Sequence, residues 1–88
     1  MQKTAIVTGA ARGIGKAIAK RLVEDGFFVV AVYNSSEKLA TELESELYPN
    51  VKAYKCDVSD SESVNAVVRA VLKDRKTVDV LVNNAGIA

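Results

Sequence analysis

Short apolar runs rich in β-branched residues alternate along the 88-residue sequence with segments in which apolar residues recur every three or four positions. This alternation constrains the fold most, because the first pattern is typical of buried strands and the second of helices packed on one face. It predicts three helices between four strands, at Thr4–Thr8, Phe27–Val32, Val51–Cys56 and Val78–Val82. Such short connections make right-handed crossovers between parallel strands. The predicted fold class is therefore α/β, with a three-layer, doubly wound parallel sheet in the strand order 3-2-1-4.

Capping and stop signals set the predicted helix limits. Gly26 ends the first helix, and Pro49 with Asn50 ends the second. Asn34 to Glu37 and Ser59 to Glu62 each have the spacing of a capping box, which predicts the starts of the second and third helices. The apolar residues predicted to line these two helices are Leu39, Leu43 and Leu47, and then Val64, Val67, Val68, Val71 and Leu72.

Composition excludes several classes of function. Twelve basic residues against eleven acidic ones give a net charge of +1, which argues against binding nucleic acid or an anionic membrane. Cys56 is the only cysteine and the sequence has no histidine, so neither an internal disulfide nor a zinc site of the usual kind is expected, and no metal is predicted. The longest apolar run, Phe27–Tyr33, is too short to cross a membrane. With no signal-peptide pattern before the first strand, the sequence predicts a cytoplasmic protein.

A glycine-rich loop joins the first strand to the first helix. Thr8–Gly15 has the pattern G-x-x-x-G-x-G, in which a Cβ would block either the turn or the approach of a ligand. Here the phosphates of a ligand would meet backbone N–H groups and the positive end of the helix dipole. The alternative is a tight turn without a ligand. The order 3-2-1-4 opens a crevice between strands one and four, next to Gly9–Gly15 and Asn83–Gly86.

Three motifs on these elements resemble those of the short-chain dehydrogenase/reductase family. They are Thr8-Gly-x-x-x-Gly-Ile-Gly15, Asp57-Val58 after strand three and Asn83-Asn-Ala-Gly86 after strand four. Within the family the sequence is most similar to 3-oxoacyl-carrier-protein reductases and acetoacetyl-CoA reductases. The resemblance implies a Rossmann-type fold in which residues 1–88 form the N-terminal, dinucleotide-binding portion of a single domain.

The resemblance also implies which residues bind the coenzyme. The glycine loop would hold the pyrophosphate and the adenosine phosphate, and its implied binding residues are Gly9, Ala11, Arg12, Gly13, Ile14 and Gly15. Asp57 and Val58 would meet the adenine, and Asn84, Ala85 and Gly86 would lie along the adenosine ribose. Two alternatives need no ligand. Asp57 would be the cap of the third helix, and Asn83 and Asn84 would tie strand ends together through turn hydrogen bonds.

The choice of coenzyme depends on the end of strand two. A site selective for NAD carries an acid there for the ribose 2′-hydroxyl, whereas this chain has Asn34 and Ser35. Glu37 is interpreted as part of a capping box instead. Arg12 is suited to pair with a 2′-phosphate in a bidentate way, or else it is a solvated turn residue. The sequence therefore predicts NADP, with NAD less suitable.

The resemblance implies NADPH-dependent reduction of a ketone, such as a 3-oxoacyl thioester, by Ser, Tyr and Lys residues that the family carries after strand five. This chain carries no predicted catalytic residue, because Pro49 breaks the turn between Tyr48 and Lys52, which alone have the Tyr-x-x-x-Lys spacing. The outer edge of strand four is guarded by Asp79 alone, so we expect a C-terminal half or another copy of the chain to complete the sheet. A homo-oligomer is expected of the complete enzyme, with a small carbonyl compound as substrate.

Two other functions are compatible with an α/β domain. A non-catalytic nucleotide-binding module would use the same loops without turnover. A phosphate-accepting receiver domain would use Asp57, but such domains hold Mg²⁺ with an acidic pair after strand one, where this chain has Gly9, Ala10 and Ala11.

Overall fold

A computed structural model of the chain describes residues 2–84. Four strands alternate with three helices, as the periodicity predicts. The elements are β1 (Thr4–Thr8), α1 (Gly13–Glu24), β2 (Phe28–Tyr33), α2 (Glu37–Glu46), β3 (Val51–Lys55), α3 (Ser61–Arg75) and β4 (Val80–Val82). Among the described residues, no helix is long and apolar enough to cross a membrane.

The four strands form one parallel sheet in the order β3-β2-β1-β4. In the centre of the sheet, Ile6 of β1 lies opposite Val30 of β2 on one side and Leu81 of β4 on the other. The predicted strand order is confirmed. The chain therefore moves outward in one direction from β1 to β3 and then returns to the other side of β1. This places the topological switch point between β1 and β4, at whose carboxyl ends such sheets bind ligands.

Helices cover both faces of the sheet, and each face has its own core. Alternate residues of a strand point to opposite faces, so neighbours in sequence such as Ile6 and Val7 belong to different cores. Val67 and Val71 of α3 pack on the face of Ile6. Ala19 of α1 and Leu43 of α2 pack on the face of Val7. The predicted placement, with two helices on one face and the third on the other, is confirmed.

The stop signal of α1 acts as predicted. Gly26 has a φ of 94°, a left-handed conformation that favours glycine. Its N–H donates to the carbonyl of Val23 at 3.0 Å, and the N–H of Phe27 donates to the carbonyl of Leu22 at 3.0 Å. This pair of bonds is a Schellman motif, which satisfies the last carbonyls of the helix and turns the chain into β2.

Both predicted capping boxes are wrong. Asp60 is the N-cap of α3, and its carboxylate accepts from the N–H of Glu62 at 3.0 Å. The N-cap of α2 is Ser36, and no side chain caps that helix start within the described structure. At α3 the side chain of Asp60, two residues before Glu62, caps the helix in place of Ser59. The Ser-x-x-Glu spacing alone therefore does not determine which residue is the cap.

Several predicted apolar and edge residues also differ from expectation. Leu39 and Leu72 are partly exposed at 38% and 42%, whereas their helix neighbours Leu43 and Val71 are buried. The carboxylate of Asp79 accepts from the N–H of Thr4 at 2.9 Å, while its own N–H donates to the carbonyl of Thr4. Asp79 is therefore tied to the start of β1 and does not guard the outer edge of β4.

Candidate functional site

The segments that follow the four strands all lie at the same end of the sheet, its carboxyl end, because the strands are parallel. These are residues 9–12 after β1, 34–36 after β2, 56–60 after β3 and 83–84 after β4. These segments contain every predicted site residue that the structure describes, apart from Gly13, Ile14 and Gly15, which form the first turn of α1. Ala85 and Gly86 lie outside the described residues.

The glycines of the loop after β1 serve different physical needs. Gly9 and Gly13 have φ angles of 64° and 62°, which L side chains rarely adopt. A Cβ on Gly15 would overlap the carbonyl of Gly9 and the side-chain amide of Asn84, so α1 can approach the loop only if this residue has no side chain. A Cβ on Gly13 would meet no atom of residues 2–84 within 4 Å. Gly15 is thus required by packing, whereas Gly13 leaves open space in front of the backbone.

The start of α1 suits a bound anion. Its first N–H groups have no partner within the helix, as in every helix, and no side chain in the described structure caps them. The first turn holds no acidic residue, so nothing in it repels negative charge. Arg12 is the N-cap, in extended backbone, and Arg12, Gly13 and Ile14 are exposed, with Ile14 at 67%. Unpaired N–H groups, the positive helix end and the guanidinium of the adjacent Arg12 are the features by which helix starts bind anions in proteins.

Hydrogen bonds join the end of β4 to this loop. The hydroxyl of Thr8, a buried residue, accepts from the N–H of Asn84 at 2.9 Å and donates to the side-chain carbonyl of Asn83 at 3.2 Å. The side-chain amide of Asn84 donates to the carbonyl of Gly9 at 3.3 Å. These contacts give Asn83 and Asn84 the tying role that turn chemistry predicts, and they fix the loop against the end of β4.

The end of β2 lies next to the same loop. The N–H of Ala10 donates to the carbonyl of Val32 at 3.2 Å, which joins the two segments. Asn34 and Ser35 follow β2 directly and are exposed. Ala11 is buried, at 5% exposure, so it contributes backbone rather than side chain to the loop. The end of β2 thus presents two neutral polar residues on a segment that is hydrogen-bonded to the loop carrying Arg12.

Asp57 and Val58 form an exposed turn after β3. The carboxylate oxygen Oδ1 of Asp57 accepts from the hydroxyl of Ser59 at 2.6 Å and from its N–H at 2.9 Å. These bonds, the hydroxyl first, hold the pKa of Asp57 below its ordinary value of 3.8. Asp57 is therefore not the cap of α3, which is Asp60. Val58 is 45% exposed.

Ser59 is the residue that sequence reasoning assigned to the wrong role. Its spacing from Glu62 favoured a capping box, but its hydroxyl bonds backwards to Asp57. The signal that could have found it is the Asp-x-Ser spacing, because an Asp side chain readily accepts from the backbone two residues on.

The pair with the Tyr-x-x-x-Lys spacing lies far from these loops. Tyr48 precedes β3 and therefore lies at the amino end of the sheet, where it is 78% exposed. The ammonium of Lys52 lies 5.4 Å from the ring centre of Tyr54. Within the described residues, no group of three or more Cys, Asp or Glu side chains is placed to hold a metal ion.

Comparison with known proteins gives consistent similarities. The model of the short chain dehydrogenase family matches residues 3–88. The chain is 45% identical over 91 residues to a diacetyl reductase of Staphylococcus epidermidis, covering 99% of this chain and 35% of that protein. It is 40% identical over 90 residues to a 3-oxoacyl-acyl-carrier-protein reductase of Staphylococcus aureus, with coverages of 99% and 37%.

A solved structure extends the similarity to three dimensions. It is a 3-ketoacyl-acyl-carrier-protein reductase from Brucella melitensis complexed with NADH, with a TM-score of 0.84 and 34% identity. The match covers 90% of this chain and 32% of that one. The chain thus spans about a third of the length of the proteins it matches.

Proposed function

The chain belongs to the short-chain dehydrogenase family, and on that premise we propose that it forms the coenzyme-binding portion of a reductase that uses NADPH. The proposed reaction is reduction of a ketone to an alcohol, with a 3-oxoacyl thioester as the substrate class. The names of the similar proteins support this choice, since those described above act on 3-oxoacyl groups or on diacetyl. The nicotinamide coenzyme is supported by the NADH bound to the Brucella melitensis protein.

The observation that carries the proposal is the open backbone at the start of α1. Gly13 leaves free space in front of it, and the first turn offers N–H groups and a positive dipole without a competing carboxylate. A pyrophosphate needs these features, because its charged oxygens must approach backbone donors closely. A turn that served only to connect β1 with α1 would need no such open face.

The remaining loops supply the other parts of the proposed site. Val58 offers apolar surface and Asp57 a hydrogen-bond acceptor for adenine, while Asn84 stands beside the glycine loop for the adenosine ribose. Ala85 and Gly86 belong to the proposal on sequence grounds alone. The catalytic proton donor and the substrate pocket would come from a C-terminal half of the domain or from another copy of the chain, in a homo-oligomer.

NADPH is proposed over NADH on the basis of charge. Arg12 and the neutral pair Asn34 and Ser35 lie on segments joined by the bond between Ala10 and Val32. An acid at the end of β2 would repel a 2′-phosphate by about 1–4 kcal/mol at ~4 Å, whereas a guanidinium would attract it by a similar amount. We also propose a cytoplasmic location, where a reductase has access to reduced coenzyme.

The proposal is tested by binding and by turnover. Calorimetric titration should give tighter binding of NADPH than of NADH. The protein, together with any segment that completes its sheet, should oxidise NADPH in the presence of an acetoacetyl thioester. Binding without turnover would instead support a nucleotide-binding module. Failure to bind either coenzyme would contradict the proposal.

A further inference from the structure

We propose that Ser59 is a positioning residue for adenine: it orients the carboxylate of Asp57 so that the second carboxylate oxygen accepts a hydrogen bond from the 6-amino group of the bound coenzyme. This inference rests on the proposed function, because it requires adenine beside Asp57. It assigns a role to a residue that touches the coenzyme only through another residue.

The hydrogen bonds of the turn carry the argument. Both donors of Ser59, its hydroxyl at 2.6 Å and its N–H at 2.9 Å, meet the same oxygen, Oδ1 of Asp57. An ionised carboxylate has about four lone-pair sites on its two oxygens. Two bonds on Oδ1 fix the orientation of an exposed side chain and leave Oδ2 for a ligand.

The backbone of the turn is fixed as well. The carbonyl of Asp57 accepts from the N–H of Asp60 at 3.0 Å, and the carboxylate of Asp60 accepts from the N–H of Glu62 at 3.0 Å. The turn is therefore anchored to the start of α3. Val58 lies between the two aspartates and is 45% exposed. The turn thus offers a purine an apolar contact next to an oriented acceptor.

The charge state of Asp57 decides which purine fits. The ordinary pKa of Asp57, 3.8, is already well below neutral pH, and the bonds from Ser59 lower it further, so the group is a carboxylate that accepts and cannot donate. Adenine presents an amino donor at position 6. Hypoxanthine presents an oxo group there, which has no hydrogen to donate to the carboxylate. Ser59 should therefore matter for coenzymes that contain adenine and not for those that contain hypoxanthine.

Calorimetric titration with NADP⁺ and with nicotinamide hypoxanthine dinucleotide phosphate tests this role. We expect Ser59→Ala to lose about three- to tenfold in affinity for NADP⁺ and to change by less than about twofold for the hypoxanthine analogue. Ser59→Thr, which keeps the hydroxyl, should bind NADP⁺ as tightly as the unmodified protein does. Ser63→Ala is the matched control, because the hydroxyl of Ser63 donates to Sγ of Cys56 at 3.4 Å. Circular dichroism of each variant checks that it is folded.

A double-mutant comparison tests whether Ser59 acts through Asp57. If it does, Asp57→Ala with Ser59→Ala should bind NADP⁺ no more weakly than Asp57→Ala alone. Additive losses, an equal loss for both coenzymes in Ser59→Ala, or no loss for either would overturn the role of Ser59 while leaving the proposed function intact. If the unmodified protein binds neither dinucleotide, the proposed function itself fails, and this inference fails with it.

Discussion

At the scale of single residues, the candidate site depends on where side chains are absent and where they are charged. Gly15 allows α1 to pack against Gly9, and Gly13 leaves the backbone open. Arg12 then supplies the cation beside that open backbone. Spacing in the sequence indicated that glycines are needed here. It could not separate the glycine required by packing from the one that leaves room. That depends on how the folded loop brings the carbonyl of Gly9, and then the amide of Asn84, against Gly15.

Replacing Arg12 by alanine tests the choice of coenzyme. Arg12→Ala should weaken binding of NADPH about tenfold or more and binding of NADH much less, because only NADPH carries the 2′-phosphate. Calorimetric titration of both coenzymes measures the difference. Arg21→Ala is the control, since Arg21 of α1 is paired at 3.3 Å with Asp25, the residue that follows the helix. Equal losses for the two coenzymes would contradict the assignment to NADP.

Alanine at Gly15 and at Gly13 should have different effects on stability. Gly15→Ala forces its Cβ into the carbonyl of Gly9 and should lower the free energy of unfolding by about 1–3 kcal/mol or more. Gly13→Ala meets open space and should lose about 1–2 kcal/mol through its positive φ. Urea denaturation of both variants gives the two values. A smaller loss for Gly15→Ala than for Gly13→Ala would refute the packing role of Gly15.

At the scale of elements, the helix starts show how local chemistry competes with spacing. Asp60 makes a side-chain cap on α3, whereas Ser36 begins α2 without one. The two capping boxes predicted from spacing are both absent, yet α2 and α3 exist where periodicity predicted them. Whether a segment forms a helix or a strand depends on the burial of an apolar face, and many residues of the sequence contribute to that face. A cap depends on one side chain, which several neighbours can provide.

The two helix starts form a matched pair for mutation. Asp60→Ala removes the acceptor for the N–H of Glu62 and should lower the free energy of unfolding by about 1 kcal/mol. Ser36→Ala removes no cap bond and should change it by only a few tenths. Chemical denaturation monitored by circular dichroism measures both. Equal effects would show that the Asp60 cap does not stabilise α3.

At the scale of the whole molecule, the two edges of the sheet differ. At β3, the carboxylate of Glu44 accepts from the N–H of Ala53 at 2.6 Å and covers a backbone donor of the edge. At β4, Leu81 is 65% exposed and Asp79 is engaged with Thr4. Strand order and layers could be predicted because periodicity and handedness determine them. The difference between the two edge strands could not be predicted, because it depends on which backbone N–H groups the carboxylates of Glu44 and Asp79 accept from.

The open edge leads to a prediction about association. We expect the chain to self-associate through β4. Within residues 2–84 no contact covers its outer edge, and a strand edge that carries an exposed leucine pairs readily with another chain. Leu81→Lys should shift it toward monomer in sedimentation velocity. Leu39→Lys, on α2 and also partly exposed at 38%, is the control and should leave association unchanged. If both variants associate as the unmodified chain does, β4 is not the contact.

If a dinucleotide binds against the backbone at the start of α1, an NMR titration of isotope-labelled protein with NADPH will locate it. We expect the largest amide shifts at Gly13, Ile14 and Gly15, with further shifts at Asp57 and Val58. Shifts confined to the amino end of the sheet, around Phe28, Tyr48 and Lys52, with the glycine loop unchanged, would contradict binding at the start of α1.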